Sequence, residues 1–154
     1  MFTFRFETVL SARRNAEDIF QKELAEARRA LVVEQTALRE LRGNRRRCMH
    51  ELHRIQQLGF HASDVHLYEP YLARLEREID RQKKRTASAE RKMIQKRSAL
   101  IDAVKKRKML EKLKDKDLRA HSNAIALSER KFMDDVAALI FSKSSPPGGG
   151  FGEN

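Results

Sequence analysis

From Phe6 to Ile55 an apolar residue returns every three or four positions: Phe6, Leu10, Phe20, Leu24, Ala27, Leu31, Leu38, Leu41, Cys48, Leu52 and Ile55. Arg13, Glu17, Glu34 and Arg45 interrupt the series without changing its phase. An apolar stripe of this period, held for about seven heptads, is the pattern of a coiled-coil helix. Such a helix buries its stripe only against another helix, so the chain must supply a second one or find it elsewhere. The four polar members of the seam are expected to set the register against that partner at a cost in stability. Arg13, with Arg14 beside it, has a second reading as a contact with a partner protein.

The first helix is expected from about Thr3 to Leu58. Thr3 is a candidate N-cap, and Glu7 places a carboxylate in the first turns, where the helix dipole favours it. Gly43-Asn44 is a soft point, since glycine costs a helix interior roughly 1 kcal/mol relative to alanine. The seam keeps its phase on both sides, which predicts a bend or a fray there and no break. Gly59 is a candidate left-handed cap, and the following residues to Asp64 read as a turn. Pro70 would lose a hydrogen bond and clash deep inside a helix, at ~3 kcal/mol, so the second helix should begin near residues 67–69. Ser63 or Asp64 could cap an irregular turn before it.

The second apolar series opens with Tyr68, Leu72, Leu75 and Ile79, weakens through Gln82, Thr86 and Ala89, and resumes at Met93, Leu100 and Val104. Leu118, Ile125, Phe132, Val136 and Leu139 follow in a different phase, with Lys105-Lys106-Arg107-Lys108 between the two. A shift of this kind is a stutter. From Ser144 the composition becomes Ser-, Pro- and Gly-rich, which reads as a disordered tail.

The fold class that follows is all-α: a long antiparallel two-helix coiled-coil hairpin. It covers residues 1–141, with helices at about 3–58 and 67–141, a turn at about 59–66 and a tail at 142–154. Charged residues at 36% and aromatics at 6% agree with a thin seam and argue against a globular core. At 1.5 Å per residue the two helices would span roughly 80 Å and 110 Å, so the end of the second should run past the start of the first. That excess carries Phe132, Val136, Leu139, Ile140 and Phe141, an unpaired apolar stripe that reads as an interaction site or an aggregation hazard.

The net charge of +11 points to nucleic acid, an anionic membrane or an acidic protein surface. Residues 81–119 alone hold sixteen Lys or Arg against five Asp or Glu. A solvated helix face and an electrostatic docking face both account for this run. No aromatic is interleaved there for base stacking, and no leucine zipper follows a basic region. The single cysteine excludes an internal disulfide and fits a reducing compartment. Met1–Leu10 lacks the apolar core of a signal peptide, and no stretch reaches the ~18 apolar residues of a membrane span. The expectation is a cytosolic protein. Catalysis is not expected, because two paired helices form no pocket that could exclude water, and the Gly-rich tail is not a phosphate loop. Cys48, His50, His53, His61 and His66 form the one metal-like cluster. Cys48 lies in the seam and the histidines lack zinc-motif spacing, so neither a metal nor a cofactor is expected.

Three segments carry a resemblance to a known family. The opening Phe4-Arg5-Phe6-Glu7-Thr8-Val9-Leu10-Ser11-Ala12-Arg13 resembles the start of FliJ-type flagellar export proteins. The segment from Leu67-Tyr68-Glu69-Pro70 to Ile79 is similar to the family's opening of the second long helix. Glu129-Arg130-Lys131-Phe132-Met133-Asp134-Asp135-Val136-Ala137 resembles its closing stretch. The likeness spans about residues 2 to 141, in the right order.

The resemblance implies a hairpin similar to the central stalk of rotary ATPases. It implies a non-enzymatic role in the pore of the hexameric flagellar export ATPase (FliI-type), reaching the export gate FlhA and escorting export chaperones. The site would be cytoplasmic, peripheral to the inner membrane at the export gate. Carried over residue by residue, the gate-contacting face would comprise Leu41, Tyr71, Leu75, Glu78 and Gln82. The family often has aromatics just after that leucine, where this chain has Asn44 and Cys48. Phe6, Arg13, Arg14, Phe132 and Val136 would meet the ATPase. The alternatives are the equivalent stalk of a virulence-type injectisome and a basic coiled coil that binds nucleic acid. The export reading itself expects no nucleic-acid partner.

Overall fold

The computed structural model describes residues 1–59 and 65–144. Two helices account for almost all of them: α1, Glu7–Gln57, and α2, Tyr68–Ser144. They pack against each other as a helical hairpin, and no strand occurs among the described residues.

α1 starts at Glu7, later than the expected Thr3. The chain turns at Arg5 and Phe6, where the Glu7 N–H donates to the Phe4 carbonyl at 3.2 Å and the Leu10 N–H to the Phe6 carbonyl at 2.9 Å. The cause is Phe4, which is only 5% exposed. Burying that ring pulls the first residues off the helical path and takes Thr3 away from the capping position. Glu7 becomes the acidic residue of the first turn, as the helix dipole favours.

At the other end the Gly59 N–H donates to the Gln56 carbonyl at 3.3 Å, and Gly59 has φ of +74°. This is the left-handed cap that glycine adopts without a Cβ clash. The turn expected after it, with the capping roles of Ser63 and Asp64, lies outside the described residues. α2 begins at Tyr68, which puts Pro70 in its first turn, where a missing N–H breaks no intrahelical bond. It continues to Ser144, three residues beyond the expected end at 141. There the Ser142 and Ser144 hydroxyls donate to the Leu139 and Phe141 carbonyls at 2.9 and 3.0 Å, serving acceptors that a helix end leaves open. Of the tail expected at 142–154, residues 142–144 are helical, and the rest falls outside the described residues. α1 passes through Gly43 without a break.

The contacts divide the chain into two units, Ser11–Arg107 and Met1–Leu10 with Lys108 onward. In the first, Leu24, Ala27, Leu31, Leu38 and Cys48 of α1 are buried with Leu75, Ile79 and Ala103 of α2. Three of the four polar seam residues of α1 find cross-helix partners. Glu17 pairs with Arg107, and Arg45 with Glu76 at 2.8 Å. Glu34 accepts from Gln82 through its carboxylate and, at 3.1 Å, through its backbone carbonyl, to which the Thr86 hydroxyl also donates at 3.3 Å. Glu23 adds a fourth link, to Lys96 at 3.0 Å. As the partner number rises along α1 it falls along α2, which defines the antiparallel register. Arg13 departs from this pattern and is exposed.

In the second unit Leu10 is fully buried and Glu7 pairs with Lys114 at 2.7 Å. The Phe4 and Phe6 rings meet edge-on with centroids 5.8 Å apart, and the Lys114 ammonium lies 6.0 Å from the Phe4 centroid. Phe2 and His121 approach at 5.6 Å. Leu110, Glu111, Lys114, Asp117 and His121 are half-buried on this stretch of α2, while Leu118, expected in the seam, is 46% exposed. Leu118 therefore points away from the partner segment.

Candidate docking surfaces

Three surfaces stand out once the seam is accounted for. The first is the end of α2. Beyond His121 every residue to Ser144 is exposed except Val136, which is half-buried. Ile125, Leu127, Phe132, Met133, Leu139, Ile140 and Phe141 are all large, apolar and solvent-facing, with Phe132 66% exposed. At 3.6 residues per turn these positions cover roughly half of the helix circumference. A helix apolar over so much of its surface is made to be surrounded, unlike one with a single stripe, which is made to lie on a neighbour.

Of the residues expected at the ATPase, Phe6, Phe132 and Val136 lie in this unit, whereas Arg13 and Arg14 belong to the other. Phe132 is eleven residues past His121, which meets Phe2, so it lies about 17 Å further along α2. Phe6 is only partly exposed and has the Arg5 guanidinium 5.5 Å from its ring centroid. The anchoring role of Phe4 was not anticipated, because the heptad series starts at Phe6 and Phe4 sits outside its spacing.

The second surface is in the unit Ser11–Arg107. Leu41, Glu78 and Gln82, expected at the gate, do come together, and with Arg81 and Arg85 they line a groove of about 230 Å³. Tyr71 is 46% exposed and available. Leu75 and Gln82 are occupied within the hairpin: Leu75 is 3% and Gln82 6% exposed, and the Gln82 amide is held by Glu34. Glu78 accepts from the Arg74 guanidinium at 3.0 Å. The surface therefore presents Tyr71 and the rim of Leu41 and Glu78, with Leu75 and Gln82 supporting it from beneath.

The third surface, a wider groove of about 760 Å³, lies on α1. Arg39, Arg42, Arg45 and Arg46 line it, over Leu38 and Met49.

Among the described residues no three of His, Cys, Asp and Glu gather in a way that could hold a metal ion. Cys48 is buried in the seam, and loss of water around it pushes its thiol pKa up. His53 shares a hydrogen bond with Gln57 at 3.2 Å, His66 lies 3.6 Å from the Glu69 carboxylate, and His61 is outside the described residues. The Arg54 guanidinium, hydrogen-bonded to Glu51 at 2.6 Å, lowers that carboxyl's pKa. No described helix is long and apolar enough to cross a membrane.

A two-helix hairpin whose seam is closed by its own charges, and whose exposed features are an apolar helix end and charged grooves, belongs to the coiled-coil class. The family described as Flagellar FliJ protein matches the chain over residues 1–145, and the chain belongs to that family. The fold is also that of a solved YscO homolog, CT670 of Chlamydia trachomatis, with a TM-score of 0.70 at 22% identity, covering 92% of this chain and 96% of that one. No curated protein sequence matches the chain. Family membership makes it a component of type III protein export.

Proposed function

We propose that the chain is the stalk-like component of the flagellar export apparatus. In this role the end of α2 seats in the pore of the hexameric FliI-type ATPase. The surface around Tyr71, Leu41 and Glu78 meets the export gate FlhA. The single observation that carries the reading is the apolar end of α2, exposed over roughly half its circumference, since a ring-shaped protein is the kind of partner that can cover such a helix. Membership of the FliJ family supports the same assignment. The role is non-enzymatic: the chain acts on an ATPase and hydrolyses nothing itself. Escort of export chaperones belongs to the proposal on family grounds. The protein would work in the cytoplasm, brought to the inner membrane by its partners.

The net charge of +11 would speed encounter with acidic partner surfaces and make the on-rate salt-sensitive. The test is stimulation of ATP hydrolysis by the purified hexameric export ATPase. A Phe132→Asp, Val136→Asp variant should keep its helicity, because Phe132 is exposed and Val136 only half-buried, and should lose the stimulation. Full stimulation by this variant would reject the pore assignment. Failure of the wild type to bind the ATPase at low salt would reject the export role as a whole.

A further inference from the structure

The wide groove on α1 is used by neither surface proposed above. Its lining residues recur at the spacing of one helix face: Leu38 and Arg39, Arg42, Arg45 and Arg46, then Met49. With Gln35 at its near end the row spans about 21 Å, or four helical turns. Arg45 is engaged by Glu76 at 2.8 Å. Arg39, Arg42 and Arg46 are exposed and bond no carboxylate among the described residues. Three free guanidiniums thus stand along a straight row over a partly apolar floor, with Met49 half-exposed at one end.

Holding three like charges within two turns of one helix is unfavourable unless something answers them. Each guanidinium offers a planar fork of donors suited to a carboxylate, and the floor offers apolar contact. Methionine adapts its shape to what packs on it. The occupant that satisfies charge, floor and length together is a helix of about four turns, acidic along one stripe and apolar beside it. A polynucleotide fits less well, because no aromatic ring lines the groove for a base to stack on.

We propose that the groove of Arg39, Arg42 and Arg46 over Leu38 and Met49 is a binding site for an acidic amphipathic helix of a partner protein, which would lie along α1 as a third helix. The inference does not depend on the export role, because it rests on the charge and spacing of the groove.

The test uses the full chain and fluorescence anisotropy. The probe is a labelled amphipathic peptide of about four turns, with Glu at heptad-related positions on one stripe and Leu beside it. The same peptide with Gln for Glu, and a labelled oligothymidylate, serve as comparisons. Arg42→Gln with Arg46→Gln should weaken the acidic peptide about tenfold or more, through lost charge-assisted hydrogen bonds. Arg28→Gln with Arg29→Gln, an equal loss of charge elsewhere on the exposed surface of α1, should change binding by less than about twofold, as expected for distant screened charges. Arg42→Lys with Arg46→Lys should fall between, since lysine keeps the charge and loses the fork. Circular dichroism checks helicity, and should the Gln pair disturb it, the Lys pair decides by the same comparison. Equal losses in the groove and control pairs would overturn the proposal. So would undiminished binding of the Gln peptide. An oligothymidylate that binds more tightly than the peptide, and is lost with the same arginines, would reassign the groove to nucleic acid.

Discussion

Replacing Gln82 by leucine tests how the register is held. The Gln82 side chain is buried, and its amide donates to the Glu34 carboxylate and, at 3.1 Å, to the Glu34 carbonyl. Leucine is of similar size, so the change opens little cavity and its cost is mainly the lost hydrogen bonds. A hydrogen bond to a charged group contributes about 1.5–3 kcal/mol and a neutral one about 1 kcal/mol. Two features reduce this sum. The Glu34 side chain is half-exposed and can turn to water, and Thr86 still donates to the same carbonyl at 3.3 Å. The expected net loss is about 1–2 kcal/mol. Glu34→Leu alone should cost about 1 kcal/mol or less, since the Gln82 amide keeps the backbone acceptor. The double variant sets two leucines against each other in the seam. It should recover most of the loss, because replacing a buried polar pair by apolar residues is often neutral or stabilising. Urea denaturation followed by the helical dichroism signal, run as a double-mutant cycle, should therefore give a coupling of about 1–2 kcal/mol. A Gln82→Leu variant as stable as wild type, or two single losses that simply add, would refute the reasoning.

Two further outcomes follow from the same seam. Glu17→Ala should destabilise by about 1–2 kcal/mol, because it removes a largely buried carboxylate that Arg107 meets across the seam, whereas Glu23→Ala, at a more exposed pair, should cost about 0.5 kcal/mol; equal losses in urea melts would contradict this order. Cys48 should react slowly with thiol reagents in the native protein and rapidly in urea, because burial raises its pKa and denies access. The sign of the linkage follows. A thiol pKa raised in the fold contributes stability at pH values below the ordinary thiol range, and this is lost as pH climbs through the raised value. Wild type should then lose stability against Cys48→Ala on the alkaline side, and parallel curves across that range would count against it.

The first helix was readable because its seam is apolar and in phase, and Gly59 closes it as glycine chemistry predicts. Its start was misread because the burial of Phe4 depends on residues more than a hundred positions away, which no local signal reports. The second helix looked weak for a physical reason. Lys96, Arg107 and Lys114 occupy inward-facing positions, where they answer Glu23, Glu17 and Glu7. A search for apolar periodicity scores those positions as surface, although they do seam work. The same blindness affected the gate-side residues. Family likeness could name Leu75 and Gln82, but only their packing against α1 shows that they are buried. The arginine groove was hidden within a charge composition that is basic almost everywhere.

The arrangement of those charges also governs which arms can zip together. At three levels the acid comes from α1 and the base from α2. Two copies of α2 laid side by side would bring ammonium and guanidinium groups together along their shared face, and two copies of α1 would crowd carboxylates. Each arm is thereby repelled by its own duplicate and attracted to its complement in the same polypeptide. At these levels the charge order favours the pairing of the two arms within one polypeptide over the pairing of like arms.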